Sequence, residues 1–413
     1  MADEAATGSS GRVLRVLAAA ALVVAVAGIV AGLVAGPPSA PPPPTTASTG
    51  AVHGDHVPVI ADLGPTSFTV PGPFAAGETT MSLADGALVE VWYPAPRASA
   101  VGRVPATYNL ATWLPPALQH VLPAGFSVTR ATGGYRGLPA APGRFPLVVF
   151  AHGFSGYRDQ STFLTSWLAM WGFVVAAPDL VDHDLTAVLG GQLTSSMTSD
   201  LAELEGTISL LEQAGRGPGL LDGHVDDAKV AAIGHSLGGE ASEELASVDP
   251  RISTFIGMAG ASVGGFAKGS TGAAGRVPDK PGMLMVGTAD QVASPTGIVR
   301  AFHDLATPKR LVLLRHAGHL AFADVCELAK GSGGLLSVAA KVHISVPGEL
   351  VPLASDGCQT TDLAIGSGWA VIRQAVTAQL RHALGFDPGT AGLAPLAEAF
   401  PRAVAANIAV TPR

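Results

Sequence analysis

Between residues 87 and 384 the chain alternates short, almost wholly apolar runs with longer amphipathic segments, and this alternation restricts the folds open to it. Phe145–Ala151 (FPLVVFA) is a continuous apolar run closed by Gly153, as expected of a strand buried on both faces. Further strands are expected at Ala87–Tyr93, Phe173–Ala177, Lys229–Ile233, Met283–Val286 and Arg310–Leu314. Helical spacing separates them at Ser161–Trp171, Leu201–Gln213, from Gly239 through Ala246, and at Val299–Leu305, with a last helix at Gly366–Leu384. Strands alternating with helices in this way predict a mostly parallel sheet covered by helices on both faces, an α/β fold. Two stretches break the pattern. Ser99–Arg144, with several prolines, is expected to cross the surface, and Ala329–Asp362 reads as a glycine-rich insertion. The folded domain is thus expected over residues 57–387, with an insertion at about 329–362 and a loosely held tail over 388–413.

The first 56 residues are different in kind. Val16–Gly36 carries no charge and is long enough to cross a bilayer core of about 30 Å, with Arg12 and Arg15 just before it. That pattern predicts a signal anchor with residues 1–15 in the cytosol and the rest exported; a cleaved signal peptide is the alternative. Residues 37–56, with four consecutive prolines, read as a stiff spacer. In an oxidising compartment the two cysteines, Cys326 and Cys358, are expected to pair, pinning the two ends of the insertion. A net charge of −8 offers no electrostatic reason for nucleic-acid binding, and a monomer is expected.

Gly234-His235-Ser236-Leu237-Gly238 follows an expected strand and precedes an expected helix. A G-x-S-x-G turn in that setting lifts a serine above the carboxyl ends of the strands, which marks Ser236 as the candidate nucleophile. Its hydroxyl needs a base. His319, in Arg315-His316-Ala317-Gly318-His319 just past a strand, is the candidate, with His316 as its rival. Asp290, beyond the strand Met283–Val286, is the candidate orienting acid, ahead of Asp304. The order Ser236, Asp290, His319 suits a sheet that collects all three at one edge. Oxyanion donors are expected at the Leu237 and Phe154 N–H groups, the latter in His152-Gly153-Phe154-Ser155-Gly156. The side chains of Phe154 and His235 are candidate substrate contacts. Val181-Asp182-His183-Asp184 gathers metal-ligand types, but adjacent loop residues rarely converge on one ion, so no metal and no cofactor are expected.

The segments PLVVFAHGFSG, FVVAAPDLVDHD and AAIGHSLGG together resemble the dienelactone-hydrolase and platelet-activating-factor-acetylhydrolase branch of the α/β-hydrolases. GMLMVGTADQVASP and ATPKRLVLLRHAGHLAF are similar to the acid and histidine segments of bacterial cutinase-like polyester hydrolases. The resemblance runs from about Ala87 to Leu320. It implies the α/β-hydrolase fold, a triad of Ser236, Asp290 and His319, oxyanion donors at Phe154 and Leu237, and a small-molecule or lipid ester as substrate. A lipase acting on acyl lipids and a catalytically silent cell-envelope module are the competing readings. The 329–362 insertion has no counterpart in that pattern, and VDHD departs from the neutral loop of the polyester hydrolases.

Overall fold

A computed structural model describes residues 62–411, apart from 121, 125, 193–195, 262–276, 329, 347 and 394. The expected span Val16–Gly36 and spacer 37–56 lie outside the described residues. Among the described residues, no helix is long and apolar enough to cross a membrane.

The strands are β1 (Ala75–Ser82), β2 (Leu88–Ala95), β3 (Thr107–Asn109), β4 (Thr129–Ala131), β5 (Tyr135–Arg136), β6 (Phe145–Ala151), β7 (Val174–Pro178), β8 (Val225–His235), β9 (Ile252–Met258), β10 (Gly282–Gly287), β11 (Lys309–Leu314) and β12 (Val404–Val410). Ten form one sheet in the order β12-β11-β10-β9-β8-β6-β7-β2-β1-β5, and β3 and β4 make a separate pair. The run from β11 to β7 is parallel. Antiparallel β2 and β1 extend one side, and antiparallel β12 closes the other.

The core follows from strand alternation, which sends successive side chains to opposite faces. Val148 and Phe150 of β6, Ile233 of β8 and Met285 of β10 point to one face. There they meet Leu164, Trp167 and Leu168 of α1 (Thr162–Met170) and Val371, Ile372 and Val376 of a long C-terminal helix (Ile365–Ala383). Leu147 and Val149, Ala232, and Leu284 and Val286 point to the other face. They pack on Leu204, Ile208 and Leu211 of Met197–Ala214, Leu245 of Leu237–Val248, and Ile298 and Phe302 of Pro295–Asp304. Each fully buried side chain of this size contributes roughly 1.5–3 kcal/mol, so two continuous apolar layers hold the parallel strands in register.

The expected loose tail is corrected. Residues 404–410 form the edge strand β12, hydrogen-bonded along β11, with Val404 buried beside it and Asn407 donating to the Leu393 carbonyl at 2.9 Å. The pairing satisfies the outer backbone of β11, which would otherwise be a bare sheet edge. The Ser99–Arg144 crossing carries the β3–β4 hairpin, and Tyr108, Trp113 and Val128 pack with Tyr157 and with Leu328 at the start of the insertion. Crossing and insertion therefore join into a cap over the carboxyl ends of the parallel strands.

Candidate active site

Register brings those strand ends level: Ala151 of β6 pairs with Gly234 of β8, Gly234 with Gly257 of β9, and Gly287 of β10 with Leu314 of β11. The loops that leave these ends carry the residues singled out by motif. Ser236 sits at φ 57°, ψ −124°, immediately before the helix Leu237–Val248. A left-handed φ at a non-glycine residue costs about 1–3 kcal/mol and persists only where its surroundings enforce it. Here the Ser236 N–H donates to the Met258 carbonyl at 2.8 Å, and the Ser236 carbonyl accepts from Gly239 N at 2.8 Å. Leu237 is the first helical residue, and N–H groups at a helix start have no acceptor within the helix. The 152–156 loop lies directly over this turn, since a Cβ at Gly153 would stand 2.9 Å from the Ser236 Cβ.

The loops after β10 and β11 are zipped together by their backbones. Thr288 N–H donates to the Leu314 carbonyl at 2.8 Å and Ala289 N–H to the Ala317 carbonyl at 3.0 Å. This brings Asp290 to His319, whose Nδ1 lies 3.0 Å from Oδ2 and 3.2 Å from Oδ1. Oδ1 also accepts from Val292 N at 2.9 Å and Ala293 N at 2.7 Å, so the carboxylate is fixed before the imidazole reaches it. Both side chains are buried. The rivals are placed elsewhere: His316 and Asp304 are exposed. No hydrogen bond joins Ser236 Oγ to His319 among the described residues. Such contacts are commonly long before substrate binds, and the His235 ring, one residue from Ser236, lies 4.7 Å from that of His319.

His235, expected to contact substrate, faces inward. Its Nε2–H donates to the His319 carbonyl at 3.1 Å and its Nδ1 accepts from Gln160 Nε2 at 2.7 Å. The other end of the Gln160 amide accepts from Gly153 N at 3.2 Å. His152 continues the chain, donating from Nδ1 to the Gly153 carbonyl at 2.8 Å and accepting from Leu180 N at 2.8 Å. Burial, followed by neighbouring His183, pulls the His152 pKa down to about 3. Burial, followed by neighbouring His319, holds the His235 pKa well below the ordinary histidine range. Both rings are therefore neutral, and two neutral imidazoles and an amide link the 152–156 loop to the backbone of His319.

The VDHD segment braces the same loop. His183 is fully buried with Nε2 3.0 Å from Asp200 Oδ1, and its ring stacks on Phe154 at 6.3 Å. The His183 carbonyl accepts from Ser155 N at 2.9 Å. Asp184 caps α2 (Leu185–Leu189) through the Ala187 N–H at 2.7 Å. His183 and Asp184 thus serve separate structural tasks.

One participant escaped the motifs. Asp356, in the insertion, accepts from His319 N at 2.9 Å and Gln291 N at 2.9 Å, so one carboxylate grips both the histidine loop and the acid loop. Its carbonyl also accepts from Leu320 N at 2.8 Å. The backbones approach so closely that a Cβ at Gly318 would stand 2.4 Å from Gly357 N. Two residues on, Cys358 pairs with Cys326 as expected, with Cα atoms 5.0 Å apart. The only sequence hint of Asp356 was its place beside that cysteine.

A mostly parallel sheet with helices on both faces, a strained serine turn after a central strand, and the loops bearing Asp290 and His319 after later strands match the α/β-hydrolase fold. A family model described as platelet-activating factor acetylhydrolase, isoform II, matches residues 128–208, the stretch holding the 152–156 loop and the VDHD brace. Among solved structures, the chain is similar to a ferulic acid esterase from Streptomyces cinnamoneus at 2.4 Å resolution. That match has 21% identity and a TM-score of 0.52, and covers 78% of this chain and 93% of the other. No curated protein matches the chain.

Proposed function

We propose that the chain is a carboxylic ester hydrolase working through an acyl-enzyme. The observation that carries the reading is the His319–Asp290 pair, fixed at the same sheet edge as the strained Ser236 turn. Ser236 Oγ attacks the ester carbonyl while His319 Nε2 takes its proton. Asp290 holds Nδ1–H and stabilises the imidazolium. The carbonyl oxygen, now an oxyanion, accepts from the Phe154 and Leu237 N–H groups. Collapse expels the alcohol, which leaves with the proton from His319. Water then attacks the acyl-enzyme by the same route, and the acid departs as Ser236 recovers its proton. The segment similar to platelet-activating factor acetylhydrolases and the ferulic acid esterase neighbour both support ester chemistry. The reading includes export, with Val16–Gly36 holding the enzyme at a membrane. Recovery of mature protein beginning near Pro37 would replace the anchor with a cleaved signal.

The test is covalent labelling with a fluorophosphonate, alongside hydrolysis of p-nitrophenyl acetate. Wild type is expected to label and turn over, and Ser236→Ala to do neither while keeping its circular dichroism and melting profile. A folded wild type that fails both assays would return the chain to a binding role in the cell envelope.

A further inference from the structure

The ten-stranded sheet ends in two edges of opposite character. At one end β5 is two residues long, and one of them is Arg136, exposed and ion-paired with Glu78 and Glu90. A short, charged edge strand is a device by which natural sheets keep other chains from pairing with them. At the other end β12 runs for seven residues, VAANIAV, with no charge, no proline and no glycine. Burial falls along it, from Val404, which is buried, to Ile408 and Val410, which are 43% and 38% exposed. Among the described residues no strand pairs with its outer side. Alternate residues of β12 therefore present backbone N–H and C=O groups outward, flanked by apolar side chains.

The neighbouring side chains leave this edge uncharged. Register places Ile408 beside buried Leu311, and Val410 beside Lys309. Lys309 Nζ is engaged by the His303 and Leu305 carbonyls, at 2.7 and 2.8 Å. Arg310, beside Ala409, is buried, and Asn407 donates to the Leu393 carbonyl. The start of β12 is different: its register against β11 shifts between Leu313 and Leu314, and exposed Arg402 stands just before it. The regular stretch free to pair is thus 406–410, with Ile408 at its centre.

We propose that β12 is a homodimer interface: two copies of this chain pair their 406–410 stretches antiparallel about a two-fold axis through Ile408, joining two sheets into one. A second copy is the occupant that the chemistry selects. An antiparallel strand is its own complement under a two-fold axis, because each donor and acceptor meets the matching group of its mate. Like charges directly opposite one another oppose such pairing, and this stretch has none. Equally, it has no charge with which to choose an acidic or a basic partner. A two-fold axis perpendicular to the sheet keeps each face on its own side, so the exposed Ile408 and Val410 side chains of both copies merge into one covered strip. On this proposal the monomer expected from the sequence gives way to a dimer. It does not depend on the ester hydrolase reading, and either can fail alone.

The experiment is sedimentation of the full chain in mild detergent, with circular dichroism as the check on folding. Wild type is expected to sediment as two chains at micromolar concentration. Ile408→Lys sets two ammonium groups opposite each other and removes an isoleucine from each side of the axis. It is expected to raise the dissociation constant by on the order of 10²-fold or more. Ile408→Cys serves if the lysine variant fails to fold. Residues directly opposite in an antiparallel pair have Cβ atoms roughly 4.5–5.5 Å apart, close to the span of a disulfide. Under mild oxidation Ile408→Cys is therefore expected to give a covalent dimer, whereas Val101→Cys, at a site 82% exposed, is not. A wild type that stays one chain throughout overturns the proposal and leaves another segment of this chain or a different protein to cover β12. A dimer that Ile408→Lys leaves intact, with no link through Ile408→Cys, overturns it too and moves the association to another surface.

Discussion

The 152–156 loop and the paired loops bearing Asp290 and His319 flank Ser236 at the same sheet edge, yet they are secured by opposite means. The first is held from within by fully enclosed groups: His152 bonded to Gly153 and Leu180, Gln160 bridging Gly153 to His235, and His183 with Asp200 behind Phe154. The second is zipped by its own backbone and clamped from outside by Asp356 of the insertion, itself anchored beside the Cys326–Cys358 bridge. One wall depends on protons staying off buried rings. The other depends on a covalently tied segment staying in place. Acid and reductant should therefore disable the two walls separately.

The largest effect is expected at Asp290, the proposed partner of the base. Asp290→Asn keeps the side-chain volume but can present an N–H to His319 Nδ1, favouring the wrong tautomer. Under the proposed mechanism kcat is expected to fall by about 10⁴-fold with KM little changed. A loss below tenfold would mean that Asp290 does not orient the base.

Breaking the tie comes next. The disulfide closes a loop with a sequence separation of 32, for which chain entropy gives roughly 3–4 kcal/mol. Cys358→Ser, or reduction of wild type, is expected to lower the melting temperature by roughly 5–10 °C. Activity in the reduced protein should fade below the temperature at which the sheet unfolds, because the clamp releases first. Coincident loss of activity and secondary structure would show that clamp and sheet melt as one unit.

How much of this was legible in the sequence depended on whether a residue's partner was local. Phe145–Ala151 could be read because a strand buried on both faces is continuously apolar, and the serine turn because its strain needs small neighbours close in sequence. β9 was missed because Ser253, Thr254 and Gly257 interrupt its apolar run, although Thr254 is buried with its hydroxyl on the Pro281 carbonyl at 2.7 Å. β1 was missed because Glu78 looks like a surface residue. It is buried, ion-paired with Arg136 at 3.0 Å and hydrogen-bonded by Trp92 at 3.2 Å. β12 reads as a tail in the sequence because an edge strand needs only one covered side, and most of its residues are half-buried or exposed. In the site, Ser236, Asp290 and His319 were each marked by a strand end. Asp356 and the inward turn of His235 were not, because their partners come from loops distant in sequence.

Asp356→Ala probes the clamp without touching the tie. It removes the acceptor of both the His319 and Gln291 N–H groups, and a displacement of about 1 Å at the imidazole is enough to cost on the order of 10²-fold. The expected signature is a fall in kcat with KM nearly unchanged, rescued in part by Asp356→Asn, whose carbonyl oxygen can still accept. Equal losses in both variants would count against a positioning role.

The smallest effect tests the inner wall. His152 titrates near 6.5 when unfolded and at about 3 when folded, so below about pH 6.5 the unfolded chain takes up the proton first. The stability that the neutral ring contributes is complete above that pH, declines by at most about 1.4 kcal/mol per pH unit, and is gone once pH falls through about 3. Glu78, Glu90 and Asp159 act in the opposite sense, since burial raises their pKa and lets the folded state bind protons first. The informative quantity is thus the difference between wild type and His152→Gln in urea unfolding at pH 7, 6, 5 and 4. The variant should be weaker at pH 7 by about 1–3 kcal/mol, because Gln cannot satisfy both Gly153 O and Leu180 N. That deficit should shrink steadily toward pH 4. A deficit constant with pH would mean that the inner wall owes nothing to the missing proton, and the contrast between the two walls would reduce to the tethered segment alone.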